Sequence, residues 1–166
     1  MAVIAFKGTP VHTIGELPKA GGKAPDFILT KTDLSDISLK DVAGKRVVMN
    51  IFLSVDTPVC ATSVRRFNAE VNALKNAVVL CISLDLPFAL SRFCGAEGLD
   101  NVIPVSELRN RDFGKNYGVR IIDGPLAGLL ARSIVILDEK GKVLYTQMGN
   151  EIAEEPDYEK ALAVLR

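Results

Sequence analysis

The chain carries three cysteines, and their settings differ. Cys60 ends the stretch IFLSVDTPVC, where an apolar run, Val47 to Leu53, gives way to a short polar turn, Ser54 to Asp56, and Thr-Pro-Val-Cys opens an amphipathic segment. A thiol at such a strand-to-helix junction lies in a first helical turn, where unpaired N–H groups and the macrodipole favour an anion. The dipole supplies about 0.3–1 kcal/mol at an exposed helix end and up to about 2 in partly buried geometry. Each tenfold gain in thiolate takes about 1.4 kcal/mol, so a thiolate that dominates well below neutral pH needs a cation as well. Arg65 and Arg66 are poorly phased with Cys60 on a helix and read as solvated. Arg132, at the start of a strand after the loop DGPLAGLLA, is the best remote candidate. Its bland reading is a strand-edge charge paired with a carboxylate.

The other two thiols read differently. Cys81, between Leu80 and Ile82 in an apolar run, is expected in the core, where burial suppresses ionisation and denies access. Cys94, in SRFCGAEG, is expected at the frayed end of a short helix, beside Gly95 and Gly98, where a thiol can move. No Cys-x-x-Cys is present, which disfavours a general disulfide reductase. His12 is the only histidine, which speaks against a Cys-His hydrolase and a zinc site of the usual Cys/His kind.

The elements that hold these residues follow from periodicity. AVIAFKGTPVHTIG, two short apolar stretches around Gly8-Thr9-Pro10, suggests an N-terminal hairpin. RVVMNIFL and AVVLCISLD read as strands covered on both faces. Between them Val64, Phe67, Val71 and Leu74 form a helical stripe starting after Pro58. PFALSRFCG predicts a helix ending near Gly95, NVIPVS a weaker strand and RDFGKNYGV a short helix. ARSIVILDEKGKVLYTQM predicts a hairpin, and Pro156 opens a last helix, DYEKALAVLR. The order, βαβ then ββα, predicts an α/β thioredoxin-like fold: a central mixed sheet flanked by helices, with residues 1–20 as a hairpin extension of a single domain, 1–166. The first crossover is expected to be right-handed with parallel strands, placing Cys60 past the carboxyl end of a strand, where open α/β sheets build their sites.

Composition narrows the class further. Hydrophobic residues make up 48% and charged residues 24%, with 20 acids balancing 20 bases, so no nucleic-acid partner is indicated. No apolar run approaches the roughly 18 residues of a membrane helix, and no leader pattern stands at the start. An odd cysteine count without a disulfide framework suggests a reducing, cytoplasmic setting.

The segments DTPVC, SRFCGAEGLDNV, DGPLAGLLARSIVILDE and EPDYEKALAVLR together resemble the bacterial thiol peroxidases, the atypical two-cysteine branch of the peroxiredoxins. The resemblance spans nearly the whole chain. It implies that Cys60 is the peroxidatic thiol, Thr57 the signature threonine, Arg132 its arginine, and Cys94 the resolving thiol that forms an intramolecular disulfide with Cys60. One departure stands out: the family signature has proline four residues before the threonine, and this chain has Leu53.

That resemblance implies a thiol-dependent peroxidase acting on hydrogen peroxide and organic hydroperoxides. The hydroxyl of Thr57 and the guanidinium of Arg132 are expected to hold the thiolate and the charge that moves onto the peroxide. The implied reductant is thioredoxin, the implied assembly a homodimer, and no cofactor or metal is called for. Two other classes remain at this stage. A peroxide sensor would use the same thiol pair without efficient turnover. A redox-inert binding module would have no use for Thr57, Cys60, Cys94 and Arg132 together.

Overall fold

The computed structural model describes residues 1–166. The N-terminal apolar couplets form a hairpin, β1 (Val3–Phe6) and β2 (Thr9–His12). Next come β3 (Ile28–Lys31) and β4 (Asp36–Ser38), then β5 (Arg46–Ile51), α1 (Pro58–Glu70), β6 (Ala77–Ser83) and α2 (Pro87–Glu97). The chain continues through β7 (Ile103–Ser106), α3 (Asp112–Asn116), β8 (Ser133–Leu137), β9 (Val143–Met148) and α4 (Tyr158–Ala163). β3 and β4 had no counterpart in the sequence reading. They form a short antiparallel pair at the sheet edge, turning through Leu34 at φ 71°, a position where glycine or asparagine would have announced a hairpin.

Seven strands make one mixed sheet in the order β4-β3-β7-β6-β5-β8-β9. β5, β6 and β7 run parallel, while β8 and β9 pair antiparallel on one side and β3 and β4 on the other. This is the thioredoxin-like arrangement, a mixed sheet between helices. The pleat sorts the central strands into two cores. Val48, Val79, Cys81, Ile134 and Ile136 face α1, α2 and α4 through Val64, Phe67, Leu90 and Leu162. Val47, Met49, Ile51, Leu80, Val135 and Leu137 face Phe113 and Tyr117 on the side of α3. Cys60, Cys81 and Cys94 all belong to the first core. Both faces of β5 are therefore buried, which is why its sequence is apolar almost throughout.

α2 continues past Gly95 to Glu97 and ends on Gly98, whose φ of 66° is the left-handed cap that glycine adopts without strain. The Cys94 carbonyl accepts from the Leu99 N–H at 2.9 Å and from Gly98. Cys94 thus sits in a capped last turn and not at a frayed end. The N-terminal hairpin lies against two distant segments, pairing Thr13 with Ile121 and Ala5 with Glu151. No helix is long and apolar enough to cross a membrane.

Candidate active site

The site is built where β5 hands over to α1. Phe52 N–H still bonds the Ile82 carbonyl at 3.0 Å, and the chain then leaves the sheet through Leu53 to Thr57. Asp85, just past β6, fastens this turn. Its carboxylate accepts from Ser54 Oγ at 2.7 Å, Val55 N–H at 2.9 Å and Ser83 Oγ at 2.7 Å. Thr57 is the N-cap residue of α1 and Pro58 opens the helix, as proline's fixed φ and missing N–H allow. Cys60 follows in the first turn and is 0% exposed.

Arg132, 4% exposed at the foot of β8, reaches it: Nη1 stands 3.3 Å from Cys60 Sγ. The remaining donors are used on one acceptor, with Nε and Nη2 bonding the Ile152 carbonyl at 3.1 and 2.9 Å. None of the chain's ion pairs includes Arg132, so the paired strand-edge charge does not describe it. The structure thus brings a buried cation without a carboxylate partner to a buried sulfur in the first turn of a helix.

Thr57 makes its hydrogen bonds within its own turn. Its hydroxyl donates to the Ser54 carbonyl at 2.8 Å, and its N–H bonds the same oxygen at 3.1 Å. A hydroxyl has one proton to give, and here it closes the 54–57 turn instead of holding Cys60. In this state the Thr57 hydroxyl has only its acceptor lone pairs free.

The three thiols are unbonded. Burial, and to a smaller extent Asp100, raises the Cys94 thiol above its ordinary range, and Cys94 is 9% exposed. Burial also pushes Cys81 well up, with a hydrogen bond from Asn50 opposing and nearby Cys94 adding to the rise. Both are poor thiolates where they stand. Arg65 and Arg66 do not reach Cys60. Arg65 pairs with Glu97 through 2.9 and 3.2 Å contacts, joining α1 to the end of α2, and Arg66 pairs with Glu70 and Glu159. Beneath α1, Asn50 Nδ2 bonds Ser63 Oγ at 3.2 Å, and Ser63 Oγ donates to the Cys60 carbonyl at 2.8 Å. No group of three or more His, Cys, Asp or Glu side chains gathers in a way that could hold a metal ion.

Two contributors escaped the sequence reading. Asp85 had a signal, an acid directly after a buried strand in CISLD, at the sheet end where sites form. Ile152 had none, because it acts through its backbone carbonyl.

The chain is similar to known proteins over nearly its whole length. The profile of the Redoxin family matches residues 19–162. The thiol peroxidase of Mycobacterium tuberculosis (strain ATCC 25618 / H37Rv) is 57% identical over 165 residues, covering 99% of both chains. Among solved structures, a peroxiredoxin-like protein from Aquifex aeolicus superposes with a TM-score of 0.93 at 37% identity, over 99% of this chain and 96% of its own. The thiol peroxidase from Chromobacterium violaceum superposes with a TM-score of 0.88 at 26% identity, over 98% and 94%. With a redoxin profile across most of its length and near-full-length identity to curated thiol peroxidases, the chain belongs to the thiol peroxidases of the redoxin family.

Proposed function

We propose that Cys60 is the peroxidatic thiol of this peroxidase, Arg132 its cationic partner and Cys94 its resolving thiol. The observation that carries the reading is the 3.3 Å approach of the buried Arg132 guanidinium to the buried Cys60 sulfur. The Cys60 thiolate attacks the terminal oxygen of a hydroperoxide. An S–O bond forms, the O–O bond breaks, and the leaving oxygen takes a proton to depart as water or an alcohol. Cys60 is left as a sulfenic acid. Arg132 stabilises the charge as it passes from sulfur to the leaving oxygen, while Thr57 shapes the entrance.

The Cys94 sulfur then attacks the sulfenic sulfur, an S–S bond forms, and water leaves. This step needs the α-carbons within about 7 Å, and both sulfurs start buried in different helices, so the ends of α1 and α2 open first. A thioredoxin-like dithiol returns the disulfide to two thiols, and we assign that role to thioredoxin itself. Leu126 and Leu129 pack against the core that contains Cys60, which favours organic hydroperoxides alongside hydrogen peroxide. Leu86 and Phe88, 53% and 66% exposed beside the Asp85 turn, offer apolar surface for a homodimer. The reading places one domain, 1–166, in the cytoplasm.

The test is single-turnover oxidation of the reduced enzyme. Cys60→Ser should abolish peroxide reduction and Cys81→Ser should leave it almost intact. A folded Cys81→Ser protein that no longer reacts with peroxide would overturn the assignment.

A further inference from the structure

The Arg132 guanidinium is aimed by one carbonyl, and that carbonyl is held from outside the main sheet. Ile152, between β9 and α4, accepts from Arg132 Nε and Nη2 and so leaves Nη1 directed at Cys60. The segment around it runs parallel to β1: Ala5 N–H bonds the Asn150 carbonyl at 2.8 Å, and Ile152 N–H bonds the Ala5 carbonyl at 2.9 Å. The hairpin tip is fastened to the same place. Lys7 and Gly8, at φ 51° and 80°, form the two-residue turn between Phe6 and Thr9. Positive φ at both positions is the type I′ turn. Its two successive N–H groups converge on one carboxylate, Lys7 N to Glu151 Oε1 at 3.1 Å and Gly8 N to Glu151 Oε2 at 3.4 Å.

We propose that Glu151 is a positioning residue for peroxide reduction. By clasping the β1–β2 turn it holds residues 150–152 in register with β1, and the Ile152 carbonyl in the place from which it directs Arg132 at Cys60. A carboxylate suits this better than an amide, because each N–H meets its own oxygen, one of which would become an NH2 donor in an amide, and an ionised acceptor makes the stronger bonds. The hairpin is on this view a working part of the site. The inference rests on Cys60 and Arg132 being the reacting pair.

The experiment is single-turnover oxidation of Cys60 by hydrogen peroxide at pH 7 in Glu151→Gln, Glu151→Ala and Glu151→Asp, with Arg132→Met and the double variant Arg132→Met/Glu151→Gln. Misplacing the guanidinium by a fraction of an ångström should slow Gln and Ala by about 3- to 30-fold. Asp, which keeps the carboxylate, should retain most of the rate. In the Arg132→Met background Glu151→Gln should change the rate by less than about twofold, because no guanidinium remains to be aimed. A merely structural Glu151 would lower the melting temperature in both backgrounds without producing that coupling. Equal losses in both backgrounds, or a Glu151→Gln rate equal to wild type, would overturn the inference. If Arg132→Met alone leaves the rate unchanged, the reacting pair is wrong and the inference falls with it.

Discussion

Replacing Arg132 by methionine keeps an unbranched stem and removes the charge. At 3.3 Å, with an effective dielectric of about 20, the attraction between the guanidinium and a Cys60 thiolate is about 5 kcal/mol. Both groups are buried, so several kcal/mol of lost hydration opposes that attraction. A net of about 2–4 kcal/mol is left to favour the thiolate and the charge on the leaving oxygen, equivalent to about 30- to 1,000-fold in the peroxide rate constant. Arg132→Lys should fall between, because one ammonium cannot bond the Ile152 carbonyl and reach Cys60 with a planar fork. The chain has no tryptophan, so the reaction is best followed by rapid quench and mass spectrometry of Cys60 trapped as the sulfenic acid. A folded Arg132→Met enzyme that reacts within about threefold of wild type would show that the helix terminus suffices and that the electrostatic argument is wrong.

Four further outcomes are expected. Cys94→Ser should reduce one equivalent of peroxide and then stall as the sulfenic acid under thioredoxin, whereas continued turnover would remove Cys94 from the resolving role. Leu53, 5% exposed, has an N–H that bonds no protein carbonyl, so Leu53→Pro costs no hydrogen bond and should raise the Cys60 rate by stiffening the turn; an unchanged or lower rate would show that this backbone needs no such restraint. Gly118→Ala should destabilise by about 2–4 kcal/mol, since φ is 70° and the new Cβ would overlap the Glu16 carbonyl; a melting temperature within about 2 °C of wild type would contradict this. Burial raises the Glu107 carboxyl despite Arg111 and Arg120, whose guanidiniums are partly solvated and therefore screened. A raised carboxyl favours the folded state below its unfolded pKa and loses that advantage as pH climbs through the folded value. Wild type should therefore lose stability relative to Glu107→Gln between pH 4 and 8 in urea titrations, and a gap that stays constant would refute it.

Most of the scaffold was legible in the sequence, because each central element obeys a local rule. β5 and β6 are continuous apolar runs, α1 carries a stripe at helical spacing after Pro58, and the order of elements leaves few ways to wind them. β3 and β4 were not legible: each is a few residues long at the sheet edge, and their turn uses Leu34 where no special residue marks it. They pair with each other, and only β3 joins the sheet, through β7, which is distant in sequence.

The candidate site divides along the same line. Cys60 at a helix start and Cys81 inside a strand are local facts, so the sequence by itself separated a helix-terminal thiol from a mid-strand one, although both are buried in the fold. Arg132 could be singled out only as a remote candidate, because 72 positions separate it from Cys60 and only the packing of β8 beside β5 sets their distance. The Thr57 hydroxyl follows the same rule: residue type says that it is present, and the fold of the turn brings the Ser54 carbonyl within 2.8 Å of it. Ile152 and Glu151 were invisible, since a carbonyl carries no side-chain signature and the two amides that Glu151 gathers lie more than 140 residues away. Periodicity and spacing record which elements form and what chemistry they carry; the direction of a donor or a carbonyl is set by contacts between distant segments, and those exist only once the chain has folded.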